Sequence, residues 1–393
     1  MAFSPFLDVV LLIVLLGYLI SGYRSGLIGS ISGIAGLAAG AVAAYFLVPL
    51  VGTWVPAAAW RTAATLAAAA VLLIGGLSIG RSIGRNLTPQ GARNKLRVVD
   101  RLLGAGAAVM VSALVASMIA FSIGALGVPV VSPAVSSSGV IRSIDSLTPD
   151  PVKSFLAQLR SIVVSEGIPR VVEAFNGPTP VVPSVGTDSE SLRTASASVV
   201  KISGTAYACG QNQSGSGFVI APERVLTNAH VVAGVSEPVV VTPDGRAQSG
   251  QVVYFDPVVD LAVIAVSGLD AAPIALGDNL APGSLAVSSG YPFGGPFESA
   301  PTEVVAVAPT LVADIYGQGP ASRQIYTLAA DVDHGESGGP LLSEAGVVVG
   351  VIFAKSTITD NLGYALAMEE VDPVAEQASG LGDPVSSGSC ISG

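Results

Sequence analysis

Two hydropathy patterns divide this chain. The first third is built from long, nearly unbroken apolar stretches, near 6–22, 27–51, 62–80 and 102–126. A helix needs about 20 such residues to cross the hydrocarbon core of a bilayer, so these stretches predict four spans and a membrane module over 1–126. From residue 198 onward the pattern changes to short β-rich runs. They lie near 199–202, 217–220, 239–241, 251–255, 261–266, 284–288, 303–308, 324–328 and 347–352, with Gly, Pro, Asn and Asp between them. Runs of that length bounded by turn residues predict an all-β barrel or sandwich over 191–393.

A connector, 127–190, lies between the two. Pro149, Pro151, Pro169, Pro178, Pro180 and Pro183 interrupt it. Within it Val152, Phe155, Leu156, Leu159, Ile162 and Val163 recur at helical spacing, which predicts one amphipathic helix over 151–164 capped by Thr148 or Asp150. The helix either packs on the β domain, lies on a membrane, or belongs to a cleavable propeptide with the extended run 177–183 as its processing site.

Charge changes the picture from apolar to sided. Half of the residues are hydrophobic and 12% are charged, against about 25% charged in soluble chains. Residues 1–130 carry eight Lys/Arg and two Asp/Glu, and the remainder carries ten and twenty-six. The acidic remainder has no basic face for phosphates, which excludes nucleic-acid binding. Arg24 follows the first stretch, while Arg81, Arg85, Arg93, Lys95, Arg97 and Arg101 lie between the third and fourth; only Arg61 lies between the second and third. Cytoplasmic loops collect such charge, so the N-terminus and everything after 126 are expected outside. The stretch 62–80 is alanine-rich and weak, and its loss would invert the β domain. The first stretch lacks a basic leader and a small-x-small cleavage site, so it reads as an anchor. Gly29, Gly33, Gly36 and Gly40 form small-xxx-small pairs that predict close helix approach. The spans lack interior charges, which weighs against an ion pathway and so against a transporter.

Cys209 and Cys390 are the two cysteines, and their spacing fits no zinc or Cys-x-x-Cys pattern. They form either a disulfide or two unrelated buried thiols. A disulfide places the β domain in an oxidising compartment, in agreement with the charge map.

Candidate chemistry sits in two segments. Ser337 lies in Gly335-Glu336-Ser337-Gly338-Gly339-Pro340, and His230 lies in Thr227-Asn228-Ala229-His230-Val231-Val232. A serine hydroxyl becomes nucleophilic when a base takes its proton, and the imidazole that does so needs a buried carboxylate to fix its tautomer. Asp260 enters an apolar run at a turn and is the first choice for that carboxylate; Asp256 is the alternative. Gly335-x-Ser337-x-Gly339 also matches the α/β-hydrolase nucleophile elbow, but that order places the histidine after the serine, and none follows Ser337. No metal or cofactor is called for.

Two resemblances rest on these motifs. Asp8-Val9-Val10-Leu11-Leu12, Gly22-Tyr23-Arg24-Ser25-Gly26-Leu27 and Val98-Val99-Asp100-Arg101-Leu102-Leu103-Gly104 resemble the colicin V production (CvpA) family, which implies a four-span membrane module. Gly215-Ser216-Gly217-Phe218-Val219-Ile220, the His230 segment, Asp260-Leu261-Ala262-Val263 and the Ser337 segment resemble the chymotrypsin-fold serine proteases in their bacterial HtrA-like form. Together the chain resembles the actinobacterial acid-resistance periplasmic membrane serine proteases.

The resemblance implies a chymotrypsin-like double β-barrel with Ser337 as nucleophile, His230 as general base and acid, and Asp260 as orienter. It implies an oxyanion hole from the N–H groups of Gly335 and Ser337, and a substrate cleft walled by Phe353, Ala354 and Lys355 with His334 beside it. Asp331 is read as a structural carboxylate. Glu336 departs from the family, which has Asp or Asn before the serine, so the hole need not be preformed. No PDZ-type domain fits after Met368, and the protease domain is expected to be monomeric. The implied function is a membrane-anchored extracytoplasmic endopeptidase acting on envelope proteins and on its own connector, in acid or oxidative stress. The competing reading is a catalytically silent binding or scaffold protein.

Overall fold

The structure, a computed structural model, describes residues 3–54, 58–87, 94–125, 135, 137–161, 179–206, 211–356 and 358–391. Two compact units are present, residues 4–117 and 118–393.

The first unit is helical, with α1 (Phe3–Trp54), α2 (Ala58–Leu87) and most of α3 (Asn94–Ala125). Among the described residues, Pro5–Ala44 and Val98–Ser117 are long and apolar enough to cross a membrane. The first two expected stretches are the two arms of α1, which breaks at Gly26 (φ 70°, ψ 179°). The stretch 62–80 is helical within α2, with most of its first half outside the residues whose side chains are described. The motif residues meet at the break. Leu27 N–H, the first donor of the restarted helix, is accepted by Asp100 Oδ1 at 3.1 Å, satisfying a group that a helix start leaves unpaired. A Cβ at Gly26 would lie 2.1 Å from Asp100 Oδ2, so the seat is closed to any other residue. Ser30 Oγ donates to Gly104 O at 3.2 Å. Gly36 faces Gly76 and Gly80 at backbone distance, the close approach that small residues allow.

The second unit begins with short helices, α4 (Gly139–Leu147), α5 (Asp150–Ser161) and α6 (Glu190–Ser196). Helix α4 is not among the expected elements, although Val140, Ile141, Ile144 and Leu147 recur at helical spacing; Ser138 caps it by accepting Ile141 N–H at 3.2 Å. Helix α5 is the expected connector helix, and it packs on the β domain: Ala157 is buried and Ser154 Oγ donates to Glu298 Oε1 at 2.9 Å. Its expected end, 162–164, and Gly177 and Pro178 of the expected processing run lie outside the described residues. Val181 in that run is exposed.

Among the described residues, thirteen strands follow. β1 (Val199–Ala206), β2 (Gln211–Ala221), β3 (Arg224–Thr227), β4 (Val239–Val241), β5 (Ala247–Ser249), β6 (Gln251–Asp256) and β7 (Leu261–Ala265) form one antiparallel sheet in the order β5-β4-β1-β2-β3-β7-β6. β8 (Leu285–Gly290), β9 (Glu298–Val312), β10 (Ala321–Ala329), β11 (Pro340–Ser343), β12 (Val348–Lys355) and β13 (Leu362–Leu366) close into a barrel in the order β10-β13-β12-β11-β8-β9. The second half is thus a closed barrel. The first is an open sheet whose edge strands β5 and β6 are separated by Gly250 alone, so its edges come together there.

The strands read as unbroken apolar runs because both faces are buried. In β7, Ala262 and Ile264 enter the core of the first sheet, while Leu261 and Val263 enter a core shared with the second barrel. In β1, Val200 and Ile202 face the first core and Val199 the shared one. A side-chain period of two with cores on both sides gives continuous hydrophobicity. Truncating one such residue, Ile264 to alanine, is expected to cost about 2–5 kcal/mol. Helix α7 (Ala229–Val232) interrupts the first sheet after β3, and α8 (Met368–Ala378) follows β13. Beyond α8 the tail returns to the first sheet. Val385 N–H donates to Val252 O at 2.8 Å, Gly234 N–H donates to Ser387 O at 3.0 Å, and Ser387 Oγ donates to Val235 O at 2.7 Å.

Candidate active site

The shared core brings the loops of the two halves together. β3 ends at Thr227, and the chain turns through Asn228 into α7, which carries His230. Asp260 ends the β6–β7 turn with φ 67°, a conformation that aspartate tolerates better than most residues. Asp256 holds that turn: its Oδ1 accepts Val258 N–H at 2.8 Å and Val259 N–H at 3.0 Å, and its carbonyl accepts Asp260 N–H at 3.0 Å. Asp260 then takes two donors from one residue. His230 Nδ1 lies 2.8 Å from Oδ2, and His230 N–H donates to Oδ1 at 2.9 Å. Both side chains are buried. With Nδ1 bound to the carboxylate, the ring has Nε2 left as its acceptor. Asp256, the alternative carboxylate, supports the turn and does not touch the histidine.

Ser337 sits between β10 and β11 in a turn shaped by two glycines of positive φ, Gly335 (94°) and Gly338 (84°). A Cβ at Gly338 would lie 2.2 Å from Ser216 O and 2.3 Å from Thr227 Oγ1, and one at Gly335 would lie 2.5 Å from Tyr291 O. The four carbonyls from His334 to Ser337 each have a donor. His334 O accepts Phe293 N–H at 2.5 Å, Glu336 O accepts Gly339 N–H at 2.9 Å and Ser337 O accepts Ser216 N–H at 2.8 Å; Gly335 O accepts Ser216 Oγ at 2.7 Å. No peptide here is cis, so each N–H points opposite the carbonyl of the preceding residue. The N–H groups of Gly335 and Ser337 therefore point away from Phe293 N and Gly339 N respectively, and neither donates to a protein acceptor among the described residues. Ser337 Oγ donates to Phe353 O at 3.5 Å, and no hydrogen bond joins it to His230 among the described residues. Nucleophile–base contacts in substrate-free enzymes are often long in this way.

Glu336 does not disturb this turn, because its longer side chain folds inside. It is buried, and Oε2 accepts Asp333 N–H at 2.5 Å. Burial pushes its carboxyl up to about 8; the Asp333 N–H opposes this, and the nearby Asp333, Glu298 and Asp331 carboxylates add to it.

The expected cleft residues divide. Phe353 is the bulge residue of the β12–β13 pairing, between Ile352 and Ala354; the side chains of Phe353 and Ala354 are buried in the shared core, so what they offer a cleft is main chain. Lys355 Nζ pairs with Asp333 Oδ1 at 3.3 Å. His334 is half-buried, and its Nδ1 has no partner among the described residues. Burial, and then Lys355, hold its pKa below the usual range, and Asp333 opposes them. Asp331 is exposed. No free cysteine occurs among the described residues; Cys209 lies outside them.

Three supporting groups were not singled out by the sequence. Ser216 was visible only inside a motif. Asn228 Nδ2 donates to Asp260 O at 2.8 Å. Arg323, buried in β10, donates to Val259 O at 3.1 Å, next to Asp260, and to Ala313 O at 2.5 Å. A cation with carbonyl partners far away in sequence leaves no local pattern.

A two-lobed all-β domain with a His–Asp pair on one lobe and a glycine-flanked serine on the other defines the class of trypsin-like serine proteases. The comparisons agree: a trypsin-like peptidase domain matches residues 215–351, and a colicin V production protein family matches 7–149. The chain is 33% identical to the serine protease Rv3671c of Mycobacterium tuberculosis, with 99% of each chain covered. It is 30% identical to the serine protease Do-like HtrA of Bacillus subtilis, over 42% of this chain and 39% of that one. A crystal structure of the Rv3671c protease in its active form aligns with 37% identity and TM-score 0.51, covering 56% of this chain and all of that one. The chain belongs to the serine protease family of Rv3671c, with a colicin V production-like N-terminal region joined to a trypsin-like protease domain.

Proposed function

We propose that this chain is a membrane-anchored extracytoplasmic serine endopeptidase in which Ser337, His230 and Asp260 form the catalytic triad. The observation that carries the reading is the pair of hydrogen bonds between His230 and Asp260, beside a nucleophile turn whose carbonyls from His334 to Ser337 are held by donors. Ser337 Oγ attacks the scissile carbonyl carbon as His230 Nε2 takes its proton, and Asp260 stabilises the imidazolium. The N–H groups of Gly335 and Ser337 receive the developing oxyanion, where one such donor is typically worth about 3–4 kcal/mol. His230 returns the proton to the leaving amine, and water then resolves the acyl ester by the same steps in reverse order. The main chain of 353–355 forms one wall of the substrate cleft, with His334 at its edge.

The membrane part of the proposal keeps four spans over 1–126, with the connector and protease domain outside. The apolar stretches, the arginine-rich loop between the third and fourth, and the colicin V-type match support it. A Cys209–Cys390 disulfide belongs to the same reading. A Cβ at Gly234 would lie 3.0 Å from Cys390 Sγ and 3.3 Å from the Cβ of Ala206, three residues before Cys209. Envelope proteins and the chain's own connector are the proposed substrates, and acid or oxidative stress the setting.

A fluorophosphonate probe tests the triad. Labelling of the wild type and none of Ser337→Ala or His230→Ala is expected. A folded wild type that is not labelled would leave a silent, protease-like binding protein.

A further inference from the structure

We infer that Ser216 is the positioning residue of the oxyanion hole: one side chain on the first lobe sets the nucleophile turn of the second. The inference rests on Ser337 as nucleophile. Ser216 lies in β2 and is fully buried. Its Oγ donates to Gly335 O at 2.7 Å and accepts Tyr291 N–H at 2.9 Å. Its N–H donates to Ser337 O at 2.8 Å, and its carbonyl accepts Thr227 Oγ1 at 2.7 Å. Four hydrogen bonds thus converge on one residue, and two of them hold carbonyls of the turn.

The two held carbonyls bracket the peptide whose N–H belongs to Ser337. Gly335 O fixes the peptide before Glu336, and Ser337 O fixes the peptide after the nucleophile. With both ends fixed, the 336–337 peptide between them has little freedom to rotate its N–H out of the hole. The Oγ also ties the turn to Tyr291, the residue that leads into Phe293, and Phe293 N–H holds His334 O. Phe293 itself sits at φ 55°, an unfavourable conformation for a bulky residue, so this turn needs a brace. The hydroxyl of Ser216 is therefore placed to act on both oxyanion donors, on Ser337 N–H through Gly335 O and on Gly335 N–H through Tyr291 and Phe293. A Cβ at Gly290 would come within 2.8 Å of the Ser216 hydroxyl, so the glycine at 290 leaves the hydroxyl its seat.

The test is steady-state kinetics on the full-length protein with a peptide amide substrate, with a peptide aldehyde as a tetrahedral-adduct inhibitor. Loss of a whole oxyanion donor costs about a hundredfold or more. Loss of its brace in Ser216→Ala is expected to lower kcat about tenfold, leave KM within about twofold, and weaken the aldehyde by the same factor as kcat. Ser216→Thr keeps the hydroxyl and is expected to recover most of kcat. Ser216→Cys keeps the shape with a slightly larger atom that is a weak donor, and carries the test if the alanine variant does not fold; it should fall between wild type and alanine. A folded Ser216→Ala with wild-type kcat and aldehyde affinity would overturn the inference. So would equal losses in kcat for alanine and threonine, which would mark a volume effect. If wild type itself turns over no substrate and takes no fluorophosphonate, the triad reading fails instead.

Discussion

Glu336 Oε2 accepts the main-chain N–H of Asp333 at 2.5 Å, closing a small ring of chain just before the nucleophile. The carboxyl replaces the shorter acid that the family resemblance led one to expect, and its extra methylene lets it reach back into the protein.

Burial of this carboxyl makes the fold more stable in acid, against the pull of the Asp333 N–H. The carboxyl titrates at an ordinary 4.5 in the unfolded chain and at about 8 in the fold. Between those values the folded state holds more protons, so stability falls as pH rises. The contribution is fully present below 4.5 and lost as pH passes 8. Melting curves from pH 4.5 to 9 should show Glu336→Gln losing this part of the pH dependence; an unchanged slope in the variant would refute the assignment.

Asp260→Asn should fold and fail to turn over. The amide cannot accept from both His230 Nδ1 and His230 N–H in the required way, and the ring takes the wrong tautomer. In a triad of this kind such a change costs about 10⁴ in kcat. Single-turnover acylation measures it, and a loss of less than about tenfold would place the orienting carboxylate elsewhere.

Arg323 should be intolerant of lysine. Its guanidinium reaches the carbonyls of Val259, Val312 and Ala313 at once, which a single ammonium cannot match. Arg323→Lys is expected to lose about 1–3 kcal/mol in denaturant unfolding and to lower kcat by loosening the turn that carries Asp260. Wild-type stability and activity would contradict this.

The connector helix α5 should be releasable by one substitution. Ala157 is 1% exposed, and a Cβ on Gly295 would lie 2.9 Å from the Ala157 Cβ, so Ala157→Arg has no place to go. Limited proteolysis with an added protease should cut 150–161 faster in the variant than in wild type. Equal rates would mean that the helix does not stay docked.

Removing the proposed disulfide should be costly, because it would close most of the protease domain into one loop. Cys390→Ser is expected to lose about 2–5 kcal/mol and to free the tail from Gly234. A melting temperature unchanged by reductant would remove the pairing.

What the sequence determined by itself was local. Apolar length predicted helices where α1, α2 and α3 run, and the β runs near 239–241 and 251–255 match β4 and β6 closely. The order of His230 and Ser337 ruled out the elbow arrangement. Strands β5, β11 and β13 escaped: β5 is three residues of mixed polarity, Pro340 begins β11 and Gly363 interrupts β13, so none reads as a strand alone. The tertiary structure decided what depends on distant partners: that Asp260 and not Asp256 meets His230, that Glu336 turns inward, and that Ser216 and Arg323 brace the site from opposite lobes. A hydrogen bond between groups more than a hundred residues apart, such as Ser216 Oγ to Gly335 O, leaves no period in the chain. Only packing two lobes on a shared core brings its partners within reach.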